Sequence, residues 1–219
     1  MEHRVFEKFR ALIYKKSGIT LGPQKVSLVS ARIAKRMRTL NLEEHQDYLK
    51  YVLQDESGSE LIQLLDCIST NVTSFFRESQ HFDFLSSVLS AWRAKGQSRY
   101  RIWCAASSTG EEPYSIAMVV SDALKMSPCD VRILATDIST RVLEMCVRGH
   151  YAEARVEPVP RPLRDRYFHK RVENAETVYV VSDELRRVIT FRRLNLATPP
   201  FPMRGPMDVI FCRNVMIYF

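Results

Sequence analysis

Hydrophobic residues recur at helical spacing through the first third of the chain. The first such stretch carries Val5, Phe6, Phe9, Leu12 and Ile13. Apolar positions three and four residues apart form one stripe along a helix. Gly18 and Gly22-Pro23 then interrupt the pattern, as glycine and proline do between helices, and the same period returns at 42–53 and 58–69. The sequence predicts an N-terminal all-α domain over residues 1–70.

The second predicted helix has one apolar and one basic face. Its apolar positions are Val29, Ile33, Met37 and Leu40, and its basic positions are Lys25, Arg32, Lys35 and Arg36. No acidic residue occurs between Lys8 and Leu42. Since a solvated helix face usually mixes charges of both signs, this asymmetry favours a docking surface for an acidic partner.

A different pattern begins after residue 70. The segment Thr70–Glu78 joins the two halves, and its Asn71 and Thr73 suit helix capping if they have no other role. Residues 79–95 then have helical spacing, so 71–98 is interpreted as a linker and helix. From residue 99 onward, short apolar runs alternate with helical patterns, which is typical of an α/β fold.

The most informative stretch is Arg101–Val120, which predicts a buried strand, a turn of small residues and a helix. Nucleotide-like ligands bind at such strand-to-helix turns in α/β folds. Gly110 is the only glycine of the turn, and Glu111 and Glu112 follow it. Two carboxylates would repel a pyrophosphate but would tolerate a cationic ligand. The alternative is an ordinary strand–helix unit, because helix N-termini favour acids in any case.

Two further segments are interpreted as buried strands. Asp130–Asp137 ends in an acid, and a carboxylate at the end of the second strand commonly binds a ribose diol. The alternative is that Asp137 only caps the helix predicted at 139–147. Met207–Cys212 is the other strand.

Residues 151–193 break the alternation of strands and helices. Thr177–Val181 and Val188–Arg193 have strand character and are joined through Ser182-Asp183-Glu184. We therefore expect a small antiparallel insert here rather than another crossover unit.

The composition bounds the function. The 219 residues are 46% hydrophobic and 26% charged, with a net charge of +7, which suggests an acidic partner such as protein, nucleic acid or a membrane surface. There is no long apolar run and no signal-peptide pattern, so we expect a cytoplasmic protein without membrane insertion. The five cysteines form no C-x-x-C pair, and the five histidines are scattered, so no metal site is expected.

Several motifs together resemble one family. They are Thr70–Glu78, Ala105–Ser115, Leu134–Ile138, Leu194–Leu196 and Asp208–Phe219. In this order, they are similar to the signatures of CheR-type chemotaxis receptor methyltransferases. The resemblance implies a class I methyltransferase fold: a Rossmann-like sheet over 99–219 that carries a small antiparallel insert at about 151–193 and follows the N-terminal all-α domain. It also implies S-adenosylmethionine as methyl donor and methyl-ester formation on glutamates of bacterial chemoreceptors.

The resemblance also assigns roles to individual residues. The implied cofactor contacts are Asn71, Thr73, Arg77, Glu111, Asp137, Asn195, Leu196, Arg213 and Asn214. Tyr218 matches a tyrosine near the transferred methyl group, and Arg77 is the second residue predicted to be catalytic. The basic second helix, with Lys25, Arg32, Lys35 and Arg36, matches a receptor-docking helix. The loop His169–Glu176 has no glycine, so binding of a receptor tether peptide is not assumed.

Two other functions stay open at this point. Thr198-Pro-Pro-Phe201 resembles the loop of amino-group methyltransferases that act on nucleic acid, but it precedes the last strand instead of following it, so no nucleic-acid partner is expected. A cofactor-binding adaptor or sensor without catalysis is the other alternative. The sequence stops soon after a predicted inner strand. We therefore expect a truncated sheet whose open edge favours self-association.

Overall fold

A computed structural model describes residues 1–124, 129–173 and 175–219. Within them the helices are α1 His3–Ser17, α2 Val26–Thr39, α3 His45–Gln54, α4 Ser59–Ile68, α5 Gln80–Ala94, α6 Glu111–Leu124, α7 Thr140–Arg148, α8 Glu153–Val156, α9 Arg161–Tyr167 and α10 Asp183–Val188. The strands are β1 Arg99–Cys104, β2 Asp130–Asp137, β3 His150–Ala152, β4 Phe168–Glu173, β5 Glu176–Val181, β6 Ile189–Arg193 and β7 Val209–Phe211. Short 3₁₀ turns lie at Pro23–Lys25 and Met216–Tyr218.

The first four helices pack around their own hydrophobic core. Phe6, Phe9 and Ile13 of α1 are fully buried in it. Val29 and Ile33 supply the inner face of α2, as the sequence pattern predicts. Burial of each such side chain contributes about 1.5–3 kcal/mol, which offsets the marginal stability of isolated helices of this length.

The second half is built on a parallel sheet with strand order β6-β2-β1-β7. In its register, Ile102 of β1 lies beside Ile133 of β2 and Val209 of β7. Buried residues of β1, β2, α5 and α6 share one core, which explains why these strands read as continuous apolar runs. Since all four strands run in the same direction, their carboxyl ends meet at one edge. The predicted α/β class with an all-α domain and a parallel sheet is confirmed.

The antiparallel insert exists, but one of its predicted strands belongs elsewhere. β5 pairs antiparallel with β3 and β4. The prediction that Val188–Arg193 pairs within this insert was wrong, because Ile189–Arg193 runs parallel to β2 in the main sheet. Ser182–Glu184, predicted to join two strands of the insert, instead forms the start of α10. Residues 169–173, read as a loop, form β4, and residue 174 of that loop lies outside the described residues.

The segment between α1 and α2 contacts the end of the chain. The backbone N–H of Thr20 donates to the carbonyl of Tyr218 at 2.7 Å, and the amide of Asn195 donates to the carbonyl of Lys16 at 2.9 Å. The N-terminal helices therefore cover the carboxyl edge of the sheet.

The described helices include none that is long and apolar enough to cross a membrane.

Candidate cofactor site between the two domains

A cavity lies where the N-terminal helices meet the carboxyl ends of the parallel strands. The linker after α4 and the segments after β1, β2, β6 and β7 all contribute to its wall. The predicted site residues on that wall are Asn71, Thr73, Arg77, Asp137, Asn195, Leu196, Arg213, Asn214 and Tyr218. These residues are far apart in the sequence, so it is the folding of the chain that brings them together.

The turn after β1 has an unusual backbone. Ser108 has a φ of 47° and Gly110 a φ of 101°, so two residues of the turn lie in left-handed conformations. A Cβ at position 110 would come 2.5 Å from the hydroxyl oxygen of Tyr151, so this position needs glycine for space as well as for φ. In this conformation the backbone N–H of Ser108 donates to Oδ2 of Asp137 at 2.9 Å.

Asp137 is held rigidly at the end of β2. Its side chain is 8% exposed, and its Oδ1 accepts the backbone N–H of Ser139 at 3.0 Å. That bond resembles the capping role considered above, but α7 has its own N-cap, because Oγ of Ser139 accepts from the N–H of Val142. Burial raises the pKa of Asp137, although both backbone N–H donors oppose this shift. A carboxylate fixed in this way on the cavity wall is suited to accepting two hydroxyl protons.

The two glutamates after the turn have different environments. Glu111, the predicted cofactor contact, is fully buried and bonds to Thr109 and Arg155 rather than lining the cavity. Glu112 is on the cavity wall instead. Adjacent residues of a helix point about 100° apart, so only one of the two can face the cavity. The structure therefore places Glu112 on the cavity wall, whereas the predicted contact Glu111 lies behind it.

Glu112 belongs to a charged cluster with Arg213. Nη1 of Arg213 donates to Oε2 of Glu112 at 2.8 Å, and Nη2 lies 3.2 Å from Oε2 of Glu78. Burial raises the pKa of Glu112, opposed by the Arg213 charge, whereas the hydrogen bond from Arg213 lowers the pKa of Glu78. Arg213 thus keeps an acidic side chain ordered beside the cavity.

The four predicted docking residues separate into two groups. Lys25 and Arg32 line the cavity, and Lys35 is exposed on α2. Arg36 does not fit the prediction, because its Nε and Nη2 donate to the buried Glu60 at 2.9 and 2.6 Å. The hydroxyl of Tyr48 donates to the same carboxylate at 2.9 Å. Arg36 therefore joins α2 to α4 and is not free to contact a partner.

Unpartnered polar atoms test whether the cavity fits S-adenosylmethionine. Among the described residues, Nδ2 of Asn71, Oγ of Ser108 and Nε of Arg213 are buried without a hydrogen-bond partner. All three residues line the cavity, and such atoms are costly unless a ligand or water satisfies them. Ile138 and Leu196 provide apolar surface on the same wall. A ligand with a flat apolar ring, hydroxyls and a charged amino-acid end fits this set.

Sequence reasoning missed two residues of this site, Glu112 and Ser108. The signal for Glu112 was present, since two acids follow the turn, but helical phase decides between them. Ser108 has a buried Oγ without a partner in the described part of the chain and donates its backbone N–H to Asp137, and no side-chain motif encodes the turn conformation that places both. Within the described residues no group of His, Cys, Asp or Glu side chains could hold a metal ion.

The fold and cavity define the class of protein. A parallel sheet with an acid at the end of its second strand is typical of binding sites for nucleoside-containing cofactors. The Glu112 carboxylate on the cavity wall, in place of a glycine-rich phosphate loop, matches a cationic cofactor. Together these features describe an α/β methyltransferase that uses S-adenosylmethionine.

Comparison with known proteins agrees with this class. Residues 71–219 match the family described as "CheR methyltransferase, SAM binding domain", and residues 4–69 match "CheR methyltransferase, all-alpha domain". The chain is 38% identical over 214 residues to the chemotaxis protein methyltransferase of Salmonella typhimurium, covering 98% of this chain and 73% of that protein. It is 39% identical over 215 residues to chemotaxis protein methyltransferase 2 of Pseudomonas aeruginosa, covering 98% and 75%. The chain belongs to the CheR methyltransferase family, and its cofactor is S-adenosylmethionine.

Proposed function

We propose that this chain transfers the methyl group of S-adenosylmethionine to glutamate side chains of bacterial chemoreceptors, with S-adenosylhomocysteine as the second product. The observation that carries the proposal is the cavity shared by both domains, in which Asp137 and Glu112 lie beside unpartnered polar atoms. The names of the Salmonella and Pseudomonas relatives support the chemotaxis role. No described feature favours an adaptor without catalysis.

The bound cofactor would supply a methyl group on a sulfonium sulfur, and the electron pair of the broken S–C bond would return to that sulfur. Asp137 would accept the hydroxyls of the ribose, and Glu112 would face the α-ammonium group of the amino-acid end. Arg213 keeps Glu112 in place through its 2.8 Å hydrogen bond. Asn71 and Ser108 would satisfy further polar groups of the cofactor with their unpartnered atoms.

The acceptor needs alignment more than activation. A glutamate carboxylate is ionised at neutral pH, so no general base is needed. Holding nucleophile and methyl carbon in line contributes about 7–11 kcal/mol in favourable cases. We assign this alignment to the cavity mouth, where Tyr218 and Arg77 lie on the wall. The guanidinium of Arg77 would attract the incoming carboxylate.

Receptor docking is assigned to the basic surface of α2 beside the cavity. Lys25 and Arg32 lie at the cavity, and Lys35 is exposed on the same helix. An acidic segment bound here would present its glutamate to the cofactor, since opposite charges steer association. We place this interaction in the cytoplasm, which is consistent with the five free thiols.

We further propose that copies of this chain associate with one another. Among the described residues, β7 pairs only with β1, and Ile210 on β7 is 54% exposed. An open strand edge with apolar side chains favours pairing with another chain. Light scattering at increasing protein concentration tests this, and a constant monomer mass would contradict it.

The function is tested by incubating the protein with S-adenosylmethionine labelled in its methyl group and a chemoreceptor cytoplasmic fragment. We expect label on the fragment that alkali releases, because methyl esters are base-labile. A matched fragment with glutamine at each acceptor glutamate should stay unlabelled. No base-labile label on the glutamate fragment, from a protein shown to bind the cofactor, would contradict the proposal.

A further inference from the structure

The turn Ser107–Gly110 needs outside support to keep its shape. Two of its residues have positive φ, and one of them, Ser108, is not glycine. Such conformations persist only where the surroundings hold them. Inside the turn, the N–H of Gly110 donates to the carbonyl of Ser107 at 3.0 Å. The remaining support must come from other elements.

Much of that support comes from the start of the antiparallel insert. The hydroxyl of Tyr151 on β3 donates to the carbonyl of Thr109 at 2.8 Å. Nη2 of Arg155 on α8 donates to Oγ1 of Thr109 at 2.7 Å and forms an ion pair with Oε1 of Glu111. Two residues four positions apart thus hold both the main chain and the side chains of the turn.

The ion pair matters because Glu111 has no exposure to solvent. Its other oxygen accepts the hydroxyl of Thr109 at 2.7 Å, and the Arg155 guanidinium supplies the opposite charge. Removing one partner of such a pair leaves a buried charge without compensation, which is far more disruptive than the loss of a surface pair. Without Arg155, the turn would shift until water reached Glu111.

Such a shift would reach the cofactor cavity directly. Glu111 is flanked in sequence by Gly110 and by Glu112, which lines the cavity. Ser108, on the other side of Thr109, also lines the cavity and donates its N–H to Asp137. A movement of Thr109 therefore alters both the acid that faces the cofactor and the donor that fixes Asp137.

We propose that Arg155 and Tyr151 are positioning residues for the cofactor, acting through Thr109 and Glu111. Neither residue lines the cavity. The insert thereby braces the cofactor turn in addition to any role it has in contacting partners. This inference rests on the proposed function of the cavity and adds two residues that act on it from outside.

The test is calorimetric titration with S-adenosylhomocysteine, at a temperature where circular dichroism shows each variant folded. Arg155→Met should bind the ligand about tenfold or more weakly, since small misplacements of a site are costly. Glu111→Gln combined with Arg155→Met should recover most of the affinity, because the neutral amide no longer needs a cation. Tyr151→Phe should show a smaller loss and serves as the second probe if Arg155→Met does not fold.

Arg161→Met is the matched control. Arg161 lies in the same insert, and its side chain is 84% exposed. Within the part of the chain that the structure describes, it pairs only with the surface residue Asp165. The Arg161→Met variant should bind the ligand like the unaltered chain. If Arg155→Met folds and binds with the affinity of the unaltered chain, the inference is overturned and the proposed function stands. If Arg155→Met does not fold, unchanged binding in Tyr151→Phe has the same consequence. Failure of the unaltered chain to bind would instead overturn the proposed function, and this inference with it.

Discussion

Arg213 donates to Glu112 across 2.8 Å and so ties the segment after β7 to the first turn of α6. The two residues are 101 positions apart, yet both line the same cavity. Their pairing leaves Glu112 with a fixed orientation, and among the described residues Oε1 has only the Cys104 thiol, at 3.3 Å, as a further partner. A carboxylate arranged in this way is suited to a cationic ligand.

The first prediction concerns this carboxylate. Glu112→Gln should weaken binding of S-adenosylhomocysteine about tenfold, equivalent to about 1.4 kcal/mol, because the amide lacks the negative charge. Glu78→Gln is the control, since Glu78 pairs with the same Arg213 but has a side chain 41% exposed. Calorimetric titration measures both. A larger loss in the Glu78 variant would contradict the assignment.

Cofactor affinity should also depend on pH. Burial raises the pKa of Asp137 and of Glu112. A carboxyl with a raised pKa takes up its proton at a higher pH than usual, and the ligand binds the ionised form. Affinity should therefore fall as pH decreases through these raised values, and binding near them should release protons. Titration in two buffers of different ionisation enthalpy counts these protons, and affinity that increases on acidification would contradict the prediction.

Two neighbouring basic residues of α2 should behave differently. Arg36→Met should destabilise the protein by about 3 kcal/mol, because it leaves the buried Glu60 without its cation. Lys35→Glu should leave stability and cofactor affinity unchanged but reduce receptor methylation, because Lys35 is exposed. Urea unfolding and the methylation assay separate the two effects. Unchanged methylation in the Lys35 variant would remove Lys35 from the docking surface.

A fourth prediction concerns the contact between the two ends of the chain. Gly18 has a φ of 73°, and a Cβ there would lie 2.6 Å from Cβ of Ala197 and 2.8 Å from the ring of Phe219. Gly18→Ala should therefore displace the cavity wall and weaken cofactor binding. Gly58→Ala is the matched control, because Gly58 has a φ of 69° but a Cβ there would meet no other atom of the described residues within 4 Å. If both variants bind the cofactor equally, the contact at Gly18 does not shape the cavity.

Helical and strand patterns in the sequence predicted most of the fold. Periodic apolar residues predicted all four N-terminal helices, and the apolar run 102–106 predicted β1, since those signals are local. The pairing of Ile189–Arg193 was not predictable in this way. A short edge strand has the same composition in a parallel or an antiparallel sheet. Its pairing partner depends on the path of the chain from α7 to α10, which connects β2 to β6. The start of α10 did have a local signal, because Ser182 followed by Asp183 and Glu184 is typical of a helix N-terminus.

The candidate site was predicted less completely than the fold. The motifs identified which segments meet, and nine of the residues predicted for catalysis or cofactor binding lie on one cavity. They could not distinguish Glu112 from Glu111, because the choice depends on the phase of α6 relative to the strained turn. They also could not show that Arg36 is bound to Glu60, because that contact joins residues on separate helices.

The most direct test of the account is calorimetric titration of the unaltered chain with S-adenosylhomocysteine beside Asp137→Ala. Asp137 is the acid at the end of β2 that lines the cavity and accepts two backbone N–H groups. We expect one binding site per chain, with affinity lost in the folded Asp137→Ala variant. Equal binding by both chains would place the cofactor elsewhere and contradict the assignment of the cofactor to the cavity at Asp137.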